Sequence, residues 1–136
     1  MQIEIKKEYL KILASLECKD SFTRSIDFGI CFNTVSKEAV ACWNGHLMII
    51  CKALKINDVN HNIPQFVVPF MFIKNLIKST FSKIVVFNIG DDGTVYYKDF
   101  KQTYLLDFPD YKRVMPVNLP TSNEMAFFSS KYMKVL

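Results

Sequence analysis

The chain has 136 residues, half of them hydrophobic, enough for one core of ordinary size and little more. No apolar run approaches the ~18 residues that cross a bilayer, and Met1-Gln2-Ile3-Glu4-Ile5-Lys6 lacks the charged-then-apolar order of a secretory leader, so a cytoplasmic protein without a membrane span is expected. The net charge of +4 permits an acidic partner without specifying one, and Cys18, Cys31, Cys42 and Cys51 have no C-x-x-C spacing, which argues against structural zinc and a disulfide framework.

Ile3-Glu4-Ile5 reads as a strand. Residues 6–18 then predict a helix whose Tyr9, Ile12, Leu13 and Leu16 face inward, with Lys7, Lys11 and Cys18 on the opposite side. Residues 26–32, 38–43 and 46–51 are rich in β-branched and aromatic side chains and predict three strands. Asn33-Thr34-Val35-Ser36 separates the first two, and Asn44-Gly45, a tight hairpin signal, separates the others. The asparagine-rich residues 55–64 predict an exposed loop before a short strand at 65–68. Pro69 suits the first turn of a second helix over 70–81, with Ile73, Leu76, Ile77 and Thr80 inward and Met71, Lys74, Asn75 and Lys78 outward. Strands at 83–89, 94–97 and 103–106 complete the pattern, the first two joined by an Asp92-Gly93 turn. The sum is an α+β layout, two helices packed on an antiparallel sheet.

Catalytic chemistry finds little support in these residues. His46 and His61 are the only histidines, and no serine or cysteine stands in a recognisable nucleophile-and-base motif. Asp91-Asp92-Gly93 lacks the further oxygen ligands and distal glutamate of a calcium loop. No enzyme activity, metal or cofactor is therefore expected. The two helices do carry like-charged i,i+4 pairs, Lys7 with Lys11 and Lys74 with Lys78. Such pairs repel slightly, so either an anionic partner or a solvated lysine face accounts for them.

The most specific segment is Leu105-Leu106-Asp107-Phe108-Pro109-Asp110-Tyr111-Lys112-Arg113-Val114-Met115-Pro116. Its prolines fix their own φ and push the preceding residues toward extended geometry, which makes a rigid connector. This run closely resembles the Phe-Pro-Asp-Tyr-Arg-Arg-Val-Leu-Pro segment between the second and third domains of the bacterial sliding clamp, the beta subunit of DNA polymerase III. Independently, Lys7-Glu8-Tyr9-Leu10-Lys11-Ile12-Leu13 returns in conservative form as Ser130-Lys131-Tyr132-Met133-Lys134-Val135-Leu136, about one domain length later, each copy after an apolar strand-like stretch. The expected division is a sliding-clamp-like domain over 1–116, connector included, and the truncated start of a second one over 117–136. An apolar face of Phe128, Tyr132 and Val135 would then lack its proper partner.

Trp43-Asn44-Gly45-His46-Leu47-Met48-Ile49 stands where the clamp family carries Thr-Asp-Gly-His-Arg-Leu-Ala. The resemblance implies a hydrophobic groove for linear peptides of polymerases and the clamp loader, formed by Trp43, Gly45, His46, Met48, Pro109, Arg113 and Val114. It also implies that Lys7, Lys11, Lys74 and Lys78 face double-stranded DNA without reading its sequence, and that clamp domains self-associate into a ring. The family's Pro-Arg-Lys at the second helix is Pro69-Phe70-Met71 here, and Trp43, Asn44 and Leu47 replace Thr, Asp and Arg at the hairpin. The implied function is a non-enzymatic processivity factor. A stand-alone clamp-like protein of phage or plasmid origin and a general nucleic-acid-binding module are the alternatives.

Overall fold

The computed structural model describes residues 1–17, 29–43, 47–57, 63–90, 92–106 and 125–128. Its elements in chain order are β1 (Gln2–Lys6), α1 (Lys7–Ala14), β2 (Gly29–Asn33), β3 (Glu38–Trp43), β4 (Leu47–Cys51), β5 (Lys55–Asn57), β6 (Gln65–Pro69), α2 (Phe70–Ser79), β7 (Ile84–Ile89), β8 (Thr94–Tyr97), β9 (Phe100–Thr103) and β10 (Met125–Phe128). The strands form two five-stranded antiparallel sheets, ordered β5-β1-β7-β8-β9 and β10-β4-β3-β2-β6. The α+β layout of two helices on antiparallel strands is thus as expected, with the strands divided between two sheets.

Period-two alternation sets the inner face of the first sheet. Ile3 and Ile5 of β1 and Val85, Phe87 and Ile89 of β7 are buried, while their neighbours along each strand are more exposed. The second sheet contributes Ile30, Phe32, Phe66 and Val68 to the same core. Aromatic rings join the layers: Phe32 lies 5.5 Å from Phe66 and meets Phe87 of the other sheet edge-on at 5.4 Å, and Phe87 also meets Phe72 of α2 at 6.3 Å. Gly29 is required where β2 runs beside β6, because a Cβ there would stand 2.0 Å from the Val68 carbonyl oxygen.

The helices lie against each other, α1 also touching β1, β2 and β3, and α2 touching β6 and β9. Leu10, Leu13, Ala14 and Leu16 are the buried residues of α1 and its following turn. Tyr9 is only partly buried and Ile12 is exposed, a correction to the expected stripe: the arc centres on Leu10, Leu13 and Ala14, leaving Tyr9 at one margin and Ile12 beyond it. In α2, Phe70, Phe72, Ile73 and Leu76 are buried, Ile77 is partly buried, and Met71 and Lys78 face out. The α1 helix begins without a side-chain cap, and the Lys7 N–H donates instead to the Lys83 carbonyl at 2.8 Å.

Four elements differ from expectation in their bounds. Lys55–Asn57, read as loop, is a short strand paired with β1. The last strand expected at 103–106 lies at Phe100–Thr103, because the chain reverses at Lys98, whose φ is 50°. Leu105 instead makes an isolated antiparallel bridge to Val67. Both helices are shorter than expected, α1 ending at Ala14 and α2 at Ser79. At the Asp92-Gly93 turn the glycine takes φ of 87°, and hydrogen bonds from the Thr94 hydroxyl and backbone N–H to Asp92 hold its carboxyl below the usual range.

The proposed domain division at 116/117 falls outside the described residues, as do Tyr132 and Val135. Met125–Phe128 adds to the edge of β4 as β10, in register Phe127 with Ile49 and Phe128 with Met48.

Candidate functional site

Residues 39–43 and 47–51 are apolar at both parities, the sequence mark of strands buried on two faces. One face of β3 and β4 belongs to the main core through Ala39, Ala41, Ile49 and Cys51. The other carries Val40, Cys42, Met48 and Ile50, and across the pairing Cys31 of β2 and Val67 of β6; all six are fully buried yet stand outside that core. Met48 sits directly opposite Cys42 in the ladder. Sequence reading singled out Met48 and missed its five companions, although the unbroken apolar runs marked them.

Of the seven expected groove residues, the structure thus places Met48 in an apolar second layer, covered rather than open. Trp43 closes β3 opposite Leu47. Gly45, His46, Pro109, Arg113 and Val114 lie outside the described residues. Burial pushes the Cys31 thiol far above its ordinary value, with neighbouring Cys42 and Glu38 acting in the same direction. Cys31 is a free thiol.

The four lysines separate into two kinds. The Lys7 ammonium donates to the Thr80 carbonyl at the end of α2, where an orphan carbonyl and the helix dipole both favour a cation. Lys74 forms an ion pair with Glu17. Lys11 and Lys78 are exposed. All four lie outside the main core, but Lys7 and Lys74 are half-buried, each against the neighbouring helical segment, a contact made by residues far apart in sequence.

No family model and no characterised protein matches the sequence. Solved structures do match it. DNA polymerase III subunit beta from Borrelia burgdorferi is 24% identical over 87% of this chain and 33% of its own, with a TM-score of 0.59. The same subunit from Pseudomonas aeruginosa is 20% identical over 87% of this chain and 35% of its own, also at 0.59. The DNA polymerase sliding clamp from Bacillus subtilis is 19% identical over 87% and 33%, at 0.57. The fold is that of a sliding-clamp domain. The chain spans about a third of the length of the clamps it matches. Within the clamp fold, none of the described helices is long and apolar enough to cross a membrane.

Proposed function

We propose that this chain acts as a sliding-clamp domain, a non-enzymatic processivity factor that lies against duplex DNA within a ring of such domains and docks linear peptides of replication proteins. The observation that carries this reading is the fold likeness to several bacterial clamps over most of the chain. The apolar layer around Met48 is fully buried, so it serves as the peptide floor in a state that uncovers it, where a methionine adapts to varied apolar side chains. Exposed Lys11 and Lys78 support a sequence-independent approach to phosphates. On this reading Trp43, Gly45, His46, Met48, Pro109, Arg113 and Val114 wall the groove, and 117–136 begins a second domain.

The test is a titration of methionine-methyl-labelled protein with a polymerase C-terminal peptide. The expected result is a shift at Met48, with Met71 unmoved, that saturates between micromolar and millimolar peptide. An equal shift at Met71 on α2, or none at millimolar peptide, would overturn the groove.

A second reading, a self-contained clamp-like unit, is favoured by the β10 pairing, which places Met125–Phe128 on β4 of the same chain. Hydrogen exchange separates the two: amide protection at 125–128 equal to that of β4 in a monomer supports the self-contained unit, and fast exchange there supports the truncated second domain.

A further inference from the structure

Phe81 is 99% exposed, an aromatic side chain with almost nothing over it, and its surroundings are basic. It lines a cleft of about 480 Å³ with Lys7, Glu8, Lys11, Ser82 and Lys83, three ammonium groups to one carboxylate. We propose that this cleft, between the start of α1 and the junction of α2 with β7, binds single-stranded DNA: Phe81 stacks on an unpaired base while Lys11 and Lys83 contact the flanking phosphates.

The backbone beside the ring is tied down. The Thr80 N–H donates to the Leu76 carbonyl, its hydroxyl to the Tyr97 hydroxyl, and its carbonyl accepts from Lys7. On the other side the Ile84 N–H donates to the Ser82 hydroxyl oxygen. The bond from the Lys7 N–H to the Lys83 carbonyl joins the two walls of the cleft. The ring is therefore presented from an anchored segment, which lowers the ordering cost of a stacked complex. Lys7 is turned toward Thr80, so Lys11 and Lys83, both exposed, are the ammonium groups available to a ligand.

The chemistry selects the ligand. A predominance of ammonium groups favours a polyanion, and an open aromatic face adds affinity only where that polyanion has a π-face to offer. A duplex keeps its base faces stacked inside, whereas a single strand exposes them. The choice of DNA among polynucleotides rests on the clamp-domain reading; the stacking geometry does not.

Fluorescence anisotropy with labelled T12, a 12-residue abasic strand and a 12-base-pair duplex tests the site. Replacing Phe81→Ala, a change at a solvent-exposed ring that leaves thermal melting unaltered, should weaken T12 by about 5- to 150-fold and leave the abasic strand and duplex unchanged. Phe81→Trp should preserve T12 binding, and Lys11→Gln with Lys83→Gln should weaken all three ligands. Equal affinity of wild-type protein for T12 and the abasic strand, an unaltered T12 affinity in Phe81→Ala, or no T12 binding at millimolar protein would each overturn the proposal. Failure of the clamp-domain reading is registered separately, by the absence of both the Met48 shift with the peptide and any salt-sensitive binding of the duplex.

Discussion

Replacing Glu17→Gln should strengthen DNA binding, although Glu17 is remote in sequence from α2 and carries no direct expectation of contacting DNA. Its carboxylate holds the Lys74 ammonium in an ion pair, with the two side chains 24% and 42% exposed. An amide at position 17 removes the competing anion and frees Lys74 for a phosphate. Each additional phosphate neutralised steepens the dependence of log K on log salt by about 0.9 on duplex DNA. Between 50 and 200 mM salt that corresponds to an additional loss of roughly 3.5-fold in affinity. Stability should change little, because a part-exposed pair is worth about 0.2–1 kcal/mol. The assay is duplex anisotropy at four salt concentrations on wild type, Glu17→Gln, Lys74→Gln and the double variant. The slope should steepen in Glu17→Gln, stay near wild type in Lys74→Gln, and return to wild type in the double variant. A Lys74→Gln slope already flatter by ~0.9 would show that Lys74 reaches phosphate while paired and would refute the reasoning.

Gly29→Ala should destabilise the fold by about 3 kcal/mol in urea melts, the upper part of the overpacking range, because its Cβ would meet backbone rather than a side chain that could swing away; a change below ~0.5 kcal/mol would contradict the β2–β6 register. Met48→Ala should cost about 2–5 kcal/mol and Met48→Leu under about 1.5, as expected for a fully buried site that tolerates equal volume. Cys31 should resist thiol reagents in the native state, and because its folded pKa lies above the unfolded one, the stability it contributes is intact below about pH 8.5 and falls as pH rises beyond it, by up to ~1.4 kcal/mol per unit. A melt midpoint that rises between pH 8.5 and 10 in wild type, but not in Cys31→Ala, would reverse that sign.

Much of the fold was legible because its elements obey local rules. The alternation around Ile3 and Ile5, the hairpin signals and the Pro69 helix start each located an element within a few residues. The misses have physical causes. Lys55-Ile56-Asn57 is too short and polar to announce a strand, and it exists because β1 offers it an unpaired edge. The β8–β9 reversal at Lys98 uses a positive φ without glycine, so turn composition did not mark it. Division into two sheets is a tertiary choice that period-two patterns alone do not encode. The lysine pattern was legible as charge but not as availability, since the Lys74–Glu17 and Lys7–Thr80 contacts join segments 57 and 73 positions apart.

The second buried layer bears on the peptide groove more directly than any single expected contact. Met48 has no exposed surface, and the same holds for Cys42 and Ile50 beside it. A peptide that uses Met48 as its floor must therefore bind a state in which this face is uncovered. Its apparent dissociation constant is the intrinsic one divided by the fraction of molecules in that state, so a 10% open population weakens binding by about tenfold. Substitutions that loosen the cover without altering the floor should tighten peptide binding even as they lower stability. Met48→Glu, by contrast, would place an unpaired carboxylate in an apolar layer at a cost of several kcal/mol and unfold the site before reporting on it. Affinity and stability thus move in opposite directions for cover variants and together for floor variants, and that opposition tells a functional groove from an ordinary second core.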